Sequence, residues 1–151
     1  MAIGISRKCY YALRAVFELA IGDSDEPVTV QEIASVQNVP QRFLEVILSE
    51  LRRAGVVVSR RGNSGGYLLA NGPDNTTVAE VIEAVQGPIS VGSGPQAQHA
   101  GGAYFCGDAA FERLWDEMNG SLASVCRSRS LADLVDWEKC SKRAPSPDYA
   151  I

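Results

Sequence analysis

Residues 40–67 constrain the fold of this chain more than any other stretch. At their start, apolar residues recur at helical spacing, and polar residues fill the opposite arc of the helical wheel. Gly55 follows, at a position where helix C-termini favour a residue that tolerates positive φ. The pattern predicts an amphipathic helix that ends at about residue 54. Its apolar arc contains Phe43, Leu44, Ile47, Leu48 and Leu51, and its polar arc contains Gln41, Arg42, Glu45, Ser49, Arg52 and Arg53.

A β-hairpin is predicted directly after this helix. The run 56–58 is β-branched, residues 62–66 are a turn cluster with three glycines, and residues 67–69 return as a second strand. Arg60 and Arg61 flank the turn. A polar-faced helix followed by an arginine-bearing hairpin is the arrangement of a winged helix-turn-helix, whose helix enters the DNA major groove. The glycines predict no nucleotide site, because the chain has no GxxxxGK[ST] run and no GxGxxG that opens a helix after a strand.

The distribution of charge favours this interpretation, although the total charge does not. The chain has 14 Lys and Arg against 18 Asp and Glu, which gives a net charge of −4. Residues 40–62, however, contain five arginines against Glu45 and Glu50, whereas residues 76–151 contain ten acids against six bases. The positive charge is therefore concentrated on the proposed contact surface. The alternative is a winged helix that serves as a protein-interaction adaptor, and the acidic pI of about 5.0 is consistent with it.

Two more helices are predicted before residue 40. The first, residues 6–20, has apolar residues at spacings of three and four, with Ser6 as its N-cap. Arg7 and Lys8 at its start are placed to contact phosphate. Thr29 and Glu32 form a capping box that begins a short second helix. The brief turn 37–40 before the next helix is the geometry of a helix-turn-helix.

The C-terminal half predicts oligomerisation. Residues 87–106 contain five glycines and two prolines without an apolar period, which is typical of a flexible, functional loop. From Asp108 a long helix carries apolar residues spaced four, three, four and three, as in a coiled-coil seam between two subunits. The alternative is a helix that packs on its own domain, but Leu114 supplies a second stripe that could face inward. The predicted seam consists of Phe111, Trp115, Met118, Leu122 and Val125.

The predicted fold class is mainly α with a small β-hairpin. Residues 1–86 are predicted to be a winged helix-turn-helix DNA-binding domain, whose last helix begins at a second capping box at residues 77–80. Residues 87–106 are predicted to be a sensor-type loop. Residues 107–137 are predicted to contain the dimerisation helix and a short closing helix, and residues 138–151 a disordered tail.

Several classes of protein are disfavoured. No apolar run approaches the roughly 20 residues that span a membrane, and the N-terminus lacks the apolar core of a signal peptide. The expected location is therefore cytoplasmic. The four cysteines, at positions 9, 106, 126 and 140, show no regular spacing and are expected to be reduced thiols. The single histidine, His99, has no partners that would complete a catalytic set, so an enzyme is not expected.

The chain resembles the IscR/NsrR/CymR (Rrf-two) family of bacterial winged-helix transcription regulators over residues 5–135. The resemblance rests on SRKCYYALRAVFELA, on FLEVILSELRRAGVVVSRRGNSGGYLLA, on VAEVIEAVQG and on SLADLV. It implies a homodimer that binds pseudo-palindromic promoter DNA and whose subunits are joined through the long C-terminal helix. Repression is the expected mode of regulation. The candidate DNA contacts are Arg7, Lys8, Gln41, Arg42, Phe43, Glu45, Arg52, Arg60, Arg61, Gly62 and Asn63.

The resemblance also assigns roles to these residues. The base-reading positions of the family's helix fall on Gln41, Arg42, Phe43 and Glu45. The phosphate-contacting arginine falls on Arg52, and the wing arginine that enters the minor groove falls on Arg61.

The loop 87–106 departs from the pattern of the iron–sulfur members of this family. Those members carry three cysteines in the corresponding loop, whereas this chain has only Cys106, with His99 nearby. No cofactor is therefore predicted, and the loop is expected to respond to a small molecule or a partner protein. The alternative is a redox-sensing iron–sulfur regulator in which Cys106 combines with His99, or with Cys9 from a second copy of the chain.

Overall fold

The computed structural model describes residues 5–22, 25–62, 65–91 and 106–143. Within these residues it contains six helices and one two-stranded antiparallel sheet, so the predicted fold class is confirmed. No helix in these ranges is long and apolar enough to cross a membrane. In chain order the elements are α1 (Arg7–Ile21), α2 (Val30–Gln37), α3 (Gln41–Arg53), β1 (Val57–Arg60), β2 (Gly66–Leu69), α4 (Val78–Gln86), α5 (Asp108–Ser128) and α6 (Leu131–Arg143).

Three helices begin at the caps that the sequence predicts. Ser6 caps α1, because its Oγ accepts a hydrogen bond from the backbone N–H three residues later at 3.2 Å. Complete capping boxes begin α2, with Thr29 and Glu32, and α4, with Thr77 and Glu80. In each box the threonine and the glutamate satisfy backbone N–H groups that have no partner inside the helix.

One hydrophobic core joins α1, α2, α3, α4, α6 and β1. α3 buries Leu44, Ile47, Leu48 and Leu51 in it, which confirms most of the predicted apolar arc. Phe43 is the exception, because it is exposed. Phe43 lies about 100° around the helix from Leu44, at the edge of the buried arc, and it lines a groove beside the start of α1 instead of the core.

The hairpin is attached to the residues that lead into α2. β1 pairs with β2 in antiparallel register, and Tyr67 also bridges to Val28. The Val28 N–H donates to the Tyr67 carbonyl at 3.0 Å, and the Tyr67 N–H donates to the Val28 carbonyl at 2.8 Å. A Cβ at Gly66 would lie 2.5 Å from the Val28 carbonyl oxygen, so glycine is required for this close approach.

The long helix α5 extends away from the main core. Of its 21 residues only Asp108 and Cys126 are buried. Cys126 packs with Cys9, Ala79 and Ile82 in a second, smaller cluster that joins α5 to α1 and α4. The prediction that Leu114 faces inward is wrong, because Leu114 is exposed. The reason is that the rest of the domain meets α5 near its C-terminal end, around Cys126.

The closing helix α6 is longer than the sequence pattern predicts. The sequence predicts that it ends at Trp137, but it continues to Arg143. Two ion pairs support this extension, and each joins residues one helical turn apart. Lys139 pairs with Asp136 at 3.8 Å, and Lys142 pairs with Glu138 at 3.1 Å. Residues 144–151 lie outside the described residues, and the predicted division of the chain into four regions stays a prediction.

Candidate nucleic-acid interface

The solvent-facing side of α3 carries most of the residues predicted to contact DNA. Gln41, Arg42 and Glu45 are exposed at its start, and Arg52 is exposed at its end. Gln41 Nε2 donates to Glu45 Oε1 at 3.1 Å, so these two side chains, one turn apart, orient each other. Arg42 has no ion-pair partner among the described residues. The first turns of α3 therefore present a cation, an amide and a carboxylate side by side.

The start of α1 lies next to the start of α3. Arg7 is exposed and, like Arg42, has no ion-pair partner within the described ranges. Lys8 differs, because its Nζ lies 2.7 Å from the Glu50 carboxylate of α3. A partly exposed ion pair of this kind contributes little to stability, but it joins α1 to α3. Arg7 is consequently the freer of the two predicted phosphate contacts.

The wing is the hairpin formed by β1, β2 and the turn between them. Its two arginines make different contacts. Arg60 Nη1 donates to the Asp25 backbone carbonyl at 3.1 Å, so this side chain is directed back toward the loop before α2. Arg61 is exposed and makes no side-chain hydrogen bond or ion pair to another described residue. Gly62 follows with φ +123°, a conformation that favours glycine. Asn63, also predicted to contact DNA, lies outside the described residues.

A hydrogen bond joins the helix to the wing. Arg52 Nη1 donates to Ser59 Oγ of β1 at 3.4 Å. The Val28–Tyr67 bridge holds the other strand of the hairpin against the start of α2. The wing is thus attached at both of its strands, and α3 and the wing form one continuous surface.

A groove beside the start of α3 was not predicted from the sequence. It has a volume of about 460 Å³ and is lined by apolar side chains and by the cations of α1 and α3. Phe43 and Val46 are 63% and 55% exposed along it. The signal that could have found it is Val46, which falls among polar residues on the outward arc of α3. The residues that line the groove are Arg7, Lys8, Tyr11, Pro40, Arg42, Phe43, Val46 and Ile47.

The predicted seam on α5 is an apolar stripe in contact with solvent. Phe111 and Val125, at its two ends, are 52% and 59% exposed. Met118 and Leu122 between them are also exposed, and Trp115 is partly buried. Within the described part of a single copy, this stripe stays largely in contact with solvent.

The described residues do not fit a metal or cluster site. No group of three or more His, Cys, Asp or Glu side chains in these ranges could hold a metal, whereas zinc and iron–sulfur sites take about four ligands. Cys106 is exposed just before α5, and His99 lies outside the described residues. Cys9 is fully buried inside its own chain, so its position does not suit the ligand role considered for a second copy.

Cys9 and Cys126 instead have the properties of small apolar core residues. Burial raises the pKa of the Cys9 thiol above its ordinary value, and the neighbouring Cys126 raises it further. Burial, followed by the charge of Glu83, raises the pKa of the Cys126 thiol. Both thiols are therefore protonated at neutral pH, and protonated thiols are poor nucleophiles and poor metal ligands.

Comparison with known proteins identifies the family. Residues 5–137 match the Rrf2 (Rrf-two) family, described as an iron-dependent transcriptional regulator. The chain belongs to the Rrf2 family. An HTH-type transcriptional regulator of Rhodobacter capsulatus, named rrf2-like, is 46% identical over 89 residues, which are 57% of this chain and 59% of that protein. The HTH-type transcriptional regulator CymR of Bacillus subtilis is 32% identical over 133 residues, which are 88% of this chain and 90% of that protein.

Solved structures of Rrf2 relatives agree with this assignment. The structure of CymR, the global cysteine regulator of B. subtilis, matches with a TM-score of 0.75 and covers 91% of this chain and 98% of that one. The structure of T. potens IscR matches with a TM-score of 0.74 at 28% identity and covers 97% of this chain and 96% of that one. The predicted family and the predicted class of function, transcription regulation by a winged helix-turn-helix protein, are confirmed.

Proposed function

We propose that the chain acts as a homodimer that binds promoter DNA sequence-specifically and represses transcription by occupying it. The observation that carries this proposal is the basic surface formed by α3, the start of α1 and the wing. Arg7, Arg42 and Arg61 are exposed on it without an acidic partner among the described residues. Exposed arginines without an acidic partner are suited to bind phosphate oxygens and purine edges, which accept two parallel hydrogen bonds from one guanidinium.

In the proposed complex, α3 enters the major groove with its first turns against the base edges. Arg42 can donate to guanine, Gln41 can pair with adenine, and Glu45 can accept from the amino group of cytosine. Arg61 enters the adjacent minor groove, where a narrow groove attracts a guanidinium. Arg52, at the other end of α3, contacts phosphate and positions the helix without reading sequence.

The dimer is proposed to form along α5. Large contiguous apolar surface is uncommon on a monomeric protein, and the stripe that includes Phe111, Met118 and Val125 is of this kind. Two copies that pair α5 with α5 cover both stripes at once, because a two-fold interface uses the same surface on each subunit. The two copies of α3 are then held at a fixed spacing, as two DNA half-sites require.

Regulation is proposed to act through residues 87–106, which connect α4 to α5. The Val91 N–H donates to Asn119 Oδ1 at 2.6 Å, so the start of this segment is attached to the middle of α5. A ligand that binds the segment would change how α5 is held, and with it the spacing of the two α3 helices. A small molecule or partner protein is the signal we favour, since residues 87–106 contain one cysteine and one histidine, fewer ligands than an iron–sulfur cluster takes.

The description of the family as iron-dependent keeps a cluster as the second candidate for the signal. The two candidates differ in colour and in the effect of Cys106→Ser. A small-molecule or protein signal predicts colourless, iron-free protein from anaerobic preparation, with DNA affinity unchanged in Cys106→Ser. A cluster predicts coloured, iron-containing protein that loses its colour and its regulated DNA affinity in that variant.

DNA binding is tested by selecting duplexes from a random pool and measuring affinity for the enriched sequence at several salt concentrations. Arg52→Ala should weaken binding to all sequences and lower the slope of log K against log salt by about one. Arg113→Ala removes the same charge from an exposed position on α5, outside the predicted DNA contacts, and should leave the slope unchanged. If no sequence were enriched, the protein-interaction adaptor would become the better assignment.

A further inference from the structure

We infer that Phe43 and Val46 of α3 form an apolar contact for the 5-methyl group of a thymine, which makes them determinants of operator sequence. The inference rests on the proposed function, because it requires α3 to enter the major groove. The polar contacts of Gln41, Arg42 and Glu45 with the bases are thereby joined by an apolar contact, which depends on shape and burial. It also gives a role to Val46, which no polar pattern on α3 would identify.

The first observation is the exposure of two large apolar side chains on the face of α3 directed away from the core. Phe43 and Val46 are three residues apart, so they lie on the same side of the helix, one turn from each other. They are 63% and 55% exposed, although the core beneath them is closed by the buried Ile47. Neither side chain is therefore needed to fill the core.

The second observation is the charge of the groove along which the two side chains lie. Arg7 and Lys8 of α1 and Arg42 of α3 line it together with the apolar side chains. Lys8 is paired with Glu50, but Arg7 and Arg42 have no acidic partner among the described residues. An apolar floor with unpaired cations beside it is complementary to a methyl group that is itself flanked by phosphates.

The chemistry of the major groove identifies thymine as the base. Of the four bases, thymine alone presents a methyl group in the major groove, and apolar side chains, phenylalanine included, contact it there. Cytosine presents a hydrogen-bond donor close by, which Phe43 and Val46 cannot satisfy. The pair should accordingly favour thymine and disfavour cytosine at one position of each half-site.

Deoxyuridine provides the direct test, because it pairs like thymine and lacks only the methyl group. Each thymine of the selected duplex is replaced in turn by deoxyuridine, and affinity is measured by fluorescence anisotropy. At one thymine per half-site the parent protein should bind the deoxyuridine duplex about fourfold more weakly, as expected for one methyl group no longer buried. In Phe43→Ala and Val46→Ser, which remove the apolar groups from this contact, the ratio should fall toward one.

Ile21→Ala is the matched control, because it truncates another exposed apolar side chain at the far end of α1. It should keep the parent's ratio between thymine and deoxyuridine. The inference is overturned if the parent binds every deoxyuridine duplex as tightly as the thymine duplex, or if Phe43→Ala keeps the full ratio. Either result would leave DNA binding itself established by the selection, so this inference and the proposed function can fail separately.

Discussion

The basic surface of α3 and the wing differs from the apolar stripe of α5 in chemistry and in attachment. The first is held to the domain by the buried side of α3, by the Arg52–Ser59 hydrogen bond and by the Val28–Tyr67 bridge. The second belongs to a helix that is buried at only two of its 21 residues. One surface exposes cations that have no acidic partner in the described part of the chain, and the other exposes large apolar side chains.

This difference indicates what each region is built to meet. A preorganised polar surface can bind a polyanion without first being ordered, which lowers the entropic cost of association. An apolar helix with few contacts to its own domain gains most from a partner that covers it. The contrast predicts that substitutions on α5 act through assembly, whereas substitutions on α3 and the wing act through DNA contacts or local stability.

The largest expected effect is the loss of the dimer in Leu122→Asp. Placing a carboxylate against a second α5 would cost on the order of several kcal/mol, because the charge would be buried without a partner. Light scattering should show monomers at micromolar concentration, and operator affinity should fall because two half-sites are no longer held together.

Leu122 also lines a small pocket with Ile82, so the variant could lose its fold for another reason. Met118→Asp changes the same stripe without touching that pocket and should give the same monomer. Ser124→Asp adds the same charge on the opposite side of α5 and should remain dimeric. A parent protein that is itself monomeric would show that the stripe on α5 is not an interface between copies.

The next effect concerns local stability and separates two glycines. Gly66→Ala places a Cβ 2.5 Å from the Val28 carbonyl oxygen, and the backbone shift that relieves this contact should cost about 1–3 kcal/mol. Gly120→Ala lies inside α5 with no heavy atom within 4 Å of the new Cβ, and it should stabilise the helix by up to about 1 kcal/mol. Thermal unfolding of both variants at one protein concentration measures the difference. Equal melting temperatures would mean that the wing is not fixed by its contact with Val28.

A smaller effect distinguishes the two arginines of the wing. Arg61→Ala should weaken operator binding about tenfold, because a guanidinium that contacts a base edge contributes about 1–3 kcal/mol. Arg60→Ala removes the same charge from a side chain already bonded to the Asp25 carbonyl, and it should weaken binding much less. Anisotropy titrations of the two variants on one duplex decide this. The opposite ranking would show that Arg60 leaves Asp25 and is the residue that contacts DNA.

The sequence predicted the elements better than it predicted their exposure. Capping residues at Ser6, Thr29 and Thr77 specify helix starts locally, and the structure places α1, α2 and α4 at them. Periodicity places Phe43 and Leu114 on buried faces, because it predicts the direction of an apolar arc and not how wide the buried part of that arc is. How wide that arc is depends on which neighbouring helix covers it. That information comes from tertiary packing, which a helical wheel does not contain.

The sequence predicted the residues of the candidate site from local patterns. It did not predict the contacts between those residues and distant parts of the chain, because these depend on tertiary packing. The arginines of α3 and the wing follow from pattern and resemblance. The pairing of Lys8 with Glu50 and of Arg60 with Asp25 does not follow from the sequence pattern, because each pair joins residues 35 or more positions apart. The groove beside Phe43 and Val46 depends on where α1 crosses α3, and only the folded chain shows it.

The smallest expected effect is a dependence of stability on pH that arises in the DNA-binding half and not on α5. Hydrogen bonds from Thr29, chiefly from its backbone N–H, lower the pKa of Glu32 below its ordinary value. A carboxyl group with a lowered pKa stabilises the fold above its ordinary pKa, and this contribution is lost as the pH falls through the lowered pKa. Glu32→Gln should therefore be less stable than the parent at neutral pH, and the difference should vanish on acidification. Glu117→Gln is the control, because it removes an exposed charge from α5 that makes no capping hydrogen bond. If Glu32→Gln stayed less stable than the parent in acid, side-chain packing and not the charge of the capping box would be responsible.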